Sequence, residues 1–183
     1  MATARGDAAT PRTGPVGGDS ILPMDIMIER FQAGLPRVTS LDARAPRSRD
    51  ELVARFAEAV QQNSASAFQT ITLNAAEFAH IYFPTSIYAA GPYAQPPAVN
   101  WLLLEQNSLK GRTRLLRHYG GRRMVIEGHR CVDDPLVEGS NRIHERCILQ
   151  VRVNGVRLED ARLFGSIIER AGRFKLMSLA NHL

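Results

Sequence analysis

Hydrophobic positions change their period once along this chain. Up to Gly121 the apolar residues recur at helical spacing, and beyond it they alternate as on strands with one buried face. Ile21, Met24, Ile28 and Phe31 predict a first helix, capped by Asp19 or Ser20, with Pro23 in its first turn. Gly34 and Pro36 stop it, and a loop runs on to Arg47. Ser48 and Glu51 have capping-box spacing, in which hydroxyl and carboxylate each satisfy a free amide of the helix start. Leu52, Val53, Phe56, Ala59 and Val60 give that helix one apolar face. Residues 63–66 interrupt the pattern and a short turn follows at Phe68. Asn74 with Glu77 then repeats the cap spacing ahead of Phe78, Ile81 and Tyr82. Residues 84–97 read as a proline-rich loop carrying Tyr88 and Tyr93. The stretch 97–119 is helical again and ends at Gly120-Gly121. Gly111 inside it costs about 1 kcal/mol relative to alanine, which leaves one helix or two open.

Residues 123–131 and 142–153 alternate like strands, with 133–141 as a turn-rich connection. Asn154-Gly155 is a strong hairpin signal because both residue types tolerate positive φ. Residues 161–170 and 173–180 form a final pair around Ala171-Gly172. Helices first and hairpin-linked strands last define an α+β domain, with N-terminal helices packed on one face of an antiparallel sheet of four strands. Residues 1–18, nearly all Ala, Thr, Gly, Pro and Arg, have little to bury and read as a disordered leader; 19–183 form one domain.

The last segment, from Leu163-Phe-Gly-Ser to Arg173-Phe-Lys-Leu-Met-Ser-Leu179, resembles the closing hairpin of the nuclear-transport-factor-2-like superfamily, which includes ketosteroid-isomerase-like and SnoaL-like proteins. The helix opening at Ser48-Arg49-Asp50-Glu51, a break and a second short helix are also similar to the start of those domains. The resemblance covers residues 48–183 in element order and implies a cone-shaped, cystatin-like roll. The 97–119 helix is longer than the usual third helix, and the helix beginning near residue 19 is an addition. No isomerase acid/base position of that superfamily maps onto a matching residue here.

Composition narrows function by exclusion. With 44% apolar and 22% charged residues the chain is ordinary globular material, and no run reaches the roughly 18 apolar residues of a membrane span. Its net charge of +5 owes much to Lys110, Arg112, Arg114, Arg117, Arg122, Arg123 and Arg130. That cluster lacks interleaved aromatics or a groove-reading motif, so it reads as a solvated basic face rather than a nucleic-acid interface. The five histidines show no pair at four-residue helical spacing, and no metal or cofactor is expected.

Three constellations could carry chemistry. On the 97–119 helix Trp101, Glu105, Ser108 and Arg112 fall within the apolar arc; they either pair internally or line a ligand pocket, with Tyr82 near its mouth. Glu127 and His129 would share one strand face with Val125 and Cys131, where they form a solvated face or a proton-transfer pair. Cys131 and Cys147 would lie opposite each other across antiparallel strands, in the register that sets His129 against Leu149 and Glu127 against Val151. Either they form a disulfide, which argues for an oxidising compartment such as a bacterial periplasm or cell envelope, or they are two buried thiols of a cytoplasmic protein. The expected role is non-enzymatic binding of a small apolar molecule or a protein partner, a second copy of the chain included. The other reading is a small lyase, isomerase or hydrolase with a pocket acid/base.

Overall fold

The computed structural model describes residues 22–179, so the leader, Ile21 and the cap residues expected at Asp19 or Ser20 lie outside it. Helix α1 (Met24–Ala33) starts at Pro23, which stands at the cap position rather than within the first turn. Helix α2 (Arg49–Gln61) is capped by Ser48, whose Oγ accepts the Glu51 amide at 3.0 Å. Only that half of the box forms. The Glu51 carboxylate takes the Arg47 amide at 2.7 Å and the Arg55 guanidinium instead. At Asn74 the reciprocal box is complete: Oδ1 accepts the Glu77 amide at 2.9 Å and Glu77 Oε2 accepts the Asn74 amide at 3.1 Å. It launches α3 (Ala75–Glu77), which widens into a π turn (Phe78–Tyr82) and tightens into a 3-10 turn (Phe83–Thr85). Helix α4 (Pro97–Tyr119) is continuous, and Gly111 is buried within it.

The strands make two antiparallel sheets. One has the order β1 (Met124–Arg130), β4 (Ile148–Val153), β5 (Val156–Ala161). The other runs β2 (Leu136–Glu138), β3 (Asn141–His144), β6 (Ile167–Arg170), β7 (Arg173–Leu176). The α+β class stands, but among the described residues seven strands replace the four expected. The stretch 142–153 is not one strand, because Arg146 takes φ +49° and the chain bends between β3 and β4, passing from one sheet to the other. The turn-rich connection hides a hairpin at Gly139-Ser140, and 161–170 contributes only β6.

The core has two lobes. Leu52, Phe56 and Val60 of α2 pack with Leu149 and Val151 of β4 and with Leu115 of α4. Phe78, Ile81 and Phe83 pack with Ile143 and Ile168, and Met24, Ile28 and Phe31 cover this lobe from α1. Between the elements sits one ion pair with both side chains almost wholly buried, Lys175 Nζ to Glu77 Oε2 at 2.8 Å. Glu77 Oε1 also accepts the Asp42 amide at 2.8 Å, so this carboxylate ties the 41–45 loop, α3 and β7 together.

Both expected two-residue hairpins form, with positive φ at Asn154 and Gly155 and at Ala171 and Gly172. Alanine is the poorer choice, since its Cβ crowds the following carbonyl in the left-handed region by about 1–2 kcal/mol. Ala171→Asn therefore raises the unfolding free energy by about 0.5–1 kcal/mol, read from the midpoint of a urea titration at unchanged slope.

Candidate functional site

A pocket of about 360 Å³ opens between the π turn, α4, the β2–β3 hairpin and the end of the chain's last strand. Local sequence puts the hairpin there. Gly139 turns the chain with φ +62°, and a Cβ on it would lie 2.7 Å from Thr85 Cγ2, so glycine alone fits. Thr85 Oγ1 donates to the Glu138 carbonyl at 3.1 Å. Fully buried Asn141 donates through Nδ2 to the Ile81 carbonyl at 2.9 Å, and its Oδ1 accepts from Arg170. The hairpin is thus stapled to the turn that carries Tyr82.

These staples place Glu138 in the pocket wall with 5% of its surface exposed. Its Oε1 accepts the Ile87 amide at 3.2 Å, whereas its buried Oε2 has no hydrogen-bond partner among the described residues. Burial raises the Glu138 pKa above the ordinary carboxyl value; the Ile87 amide opposes the shift and the Glu145 charge adds to it. Burial, then the neighbouring Glu138, likewise pushes the Tyr82 phenol well above its usual range. Asn100 of α4 is buried and donates to Gln95 at 3.1 Å, and both line the same pocket. Ile87, Leu103 and Leu136 are 42–49% exposed and give it an apolar rim.

The residues singled out in the sequence divide. Trp101, Glu105, Ser108 and Arg112 do come together, but on a neighbouring groove of about 550 Å³, while Tyr82 lines the Glu138 pocket; Leu104 belongs to both walls. Glu105 is exposed, so its expected internal placement is corrected, whereas Arg112 is half-buried and lines the groove. The reason is that α4 buries a narrow stripe through Pro97, Asn100, Gly111 and Leu115 and leaves Leu102, Leu103, Glu105 and Leu109 on its outer flank. Ser108 Oγ is already engaged, accepting the Leu179 amide at 3.1 Å.

Glu127 and His129 do not share a face. A bulge pairs Ile126, not Glu127, with Val151, and then Gly128 with Gln150. The extra residue, Glu127, points outward to Arg152 and Arg157, and the same guanidinium of Arg152 holds its carboxyl below the ordinary range. His129 pairs with Leu149 as expected and turns inward against the start of α2, its Nδ1 3.5 Å from Asp50. Burial lowers the imidazole pKa; Asp50 opposes that shift and Arg49 reinforces it. The neutral form is therefore preferred in the folded protein, and the unfolded chain binds the proton more readily. Stability is fully present above the ordinary value of 6.5 and falls as pH drops below it. Urea titrations at about pH 8 and about pH 5.5 should show a smaller acid loss for His129→Gln than for the parent; equal losses would remove His129 as a contributor.

Cys131 and Cys147 continue the β1–β4 register just past the strand ends and form a disulfide, with Cα atoms 3.9 Å apart. Among the described residues no group of three or more His, Cys, Asp or Glu is placed to hold a metal ion, and no helix is long and apolar enough to cross a membrane. No protein-family model matches the chain, and no curated protein or solved structure is similar to it.

The sequence reading missed Glu138. The one local signal was Gly139-Ser140 after Leu136-Val137, a turn behind a β-prone pair. Its burial depends on Thr85 and Asn141 contacts across more than fifty residues of chain.

Proposed function

We propose that this protein is a cone-fold domain of the nuclear-transport-factor-2-like superfamily that binds a small amphipathic molecule in the Glu138 pocket. The fold half of the reading is supported by helices preceding antiparallel strands and by the closing β6–β7 hairpin with its Phe174-Lys175 strand. The binding half is carried by one observation: a carboxylate nearly removed from water, with one oxygen unpartnered, in the wall of a pocket with an apolar rim. A bare buried polar oxygen costs about 1–3 kcal/mol, and a ligand donor recovers that. The raised pKa of Glu138 favours a second reading, in which the same carboxyl acts as acid/base in a lyase, isomerase or hydrolase. In that second reading the acid/base candidate is Glu138 rather than Glu127 or His129. The disulfide supports placement in an oxidising compartment, a periplasm or cell envelope.

The test is heteronuclear NMR with small amphipathic fragments. Shifts should cluster at Tyr82, Tyr88, Asn100 and Met177 and vanish in Leu103→Trp, which fills the mouth from a half-exposed position. Shifts clustered instead at Trp101 and Arg112 would move the site to the other groove.

A further inference from the structure

The Glu138 pocket is acidic in a chain whose net charge is +5. Among the described residues its only charged lining groups are Glu138 and Glu145, and no described Lys, Arg or His contributes to the wall. The two acids are close enough for the charge of Glu145 to act on Glu138. Two carboxylates facing one cavity, with one almost fully buried, repel each other and lack a counter-charge. Elsewhere the fold does supply one: buried Glu77 has Lys175, and exposed Glu127 has Arg152. Tyr82 and Tyr88 add aromatic walls, whose ring faces attract cations. Gln95, Asn100, Ser166 and Ser178 add neutral hydrogen-bonding groups. The apolar rim suits a hydrocarbon body behind a small polar head.

We propose that the pocket is built for an organic monocation, an ammonium head on a small apolar body, with the Glu138 carboxylate accepting its N–H and Glu145 supplying the second negative charge. The proposal rests on the pocket being the binding site and names its ligand class. The remaining surfaces agree with this choice of head group. The π turn presents Tyr82, the following loop Tyr88, and the β3–β4 bend Glu145, whereas α4 and the segment just after β7 present only Asn100, Leu103, Leu104, Met177 and Ser178. None of these groups is a cation that would compete with the ligand. An ammonium favours ionised Glu138, so binding releases protons and weakens as pH falls.

The experiment compares benzylamine, benzyl alcohol and benzoate by calorimetry and by shifts of the pocket resonances. Benzylamine should bind at least about tenfold more tightly than the alcohol, with benzoate weakest, and should release protons when buffers of different ionisation enthalpy are compared. Glu138→Gln, which keeps an acceptor for the Ile87 amide, should remove that preference. Glu145→Gln, at an exposed position that leaves folding untouched, should reduce it. Equal binding of amine and alcohol, or preference for benzoate, overturns the cation proposal while leaving the pocket as a binding site. Absence of pocket shifts with all three probes overturns both. A preference for the amine that survives both substitutions also overturns it, since the acids would then not be its source.

Discussion

Replacing Lys175 with methionine should lower the unfolding free energy by about 3–5 kcal/mol, because it strands the Glu77 carboxylate without its counter-charge. The Glu77 and Lys175 side chains are 2% and 1% exposed, so water cannot substitute for the lost ammonium. The loss should reach beyond the pair. Glu77 Oε1 holds the Asp42 amide and Oε2 closes the Asn74 capping box, so a Glu77 that turns toward water releases both. Glu77→Gln alone should also be costly, since it leaves the ammonium bare. The double variant Glu77→Gln, Lys175→Met should be more stable than the sum of the two single losses implies, as coupled sites are. Urea titration of the four proteins measures this. Strict additivity would mean that the pair is effectively solvated.

Removing the Cys131–Cys147 bridge should cost about 3 kcal/mol, in line with a loop closed across a sequence separation of 16. The cysteines end the β1–β4 ladder where β4 meets the bend, so the bridge also holds β1 against the point at which the chain changes sheets. The measurement is the unfolding midpoint of Cys131→Ala, Cys147→Ala against the parent, with and without reductant. Reductant should shift the parent toward the variant and leave the variant unchanged. Two free thiols in the denatured, unreduced parent would show that the bridge does not form.

Much of the architecture was legible because it is encoded locally. Ser48 and Asn74 mark helix starts by chemistry that acts within three residues, and Asn154-Gly155 marks its hairpin in the same way. The register that sets Cys131 against Cys147 was legible only in part: its 129-to-149 pairing is observed, whereas the bulge puts Ile126 and not Glu127 against Val151. What escaped was encoded at a distance or not by residue type. Ile143, Leu149, Val151 and Val153 keep one parity through the bend, so period-two alternation ran on across Arg146, whose positive φ no arginine advertises. Gly128 did hint at the bulge beside Glu127, as a glycine inside a strand often does. On α4 the apolar arc was wider than the stripe the fold buries, which is why Glu105 was expected inside. Around Glu138 the only local mark is the Gly139-Ser140 turn, which says nothing of its burial.

The Glu77–Lys175 pair also ties together two of the segments that line the pocket. Tyr82 follows Glu77 by little more than one helical turn, and Met177 and Ser178 follow Lys175 almost at once; both chain segments line the cavity. A 2.8 Å contact between their roots acts as a spacer of fixed length. To widen or narrow the gap the molecule would have to draw an ammonium and a carboxylate apart inside its core. For the proposed ligand, this anchors the two inner walls at their roots, and adaptation to its size falls to the exposed rim of Ile87, Leu103 and Leu136.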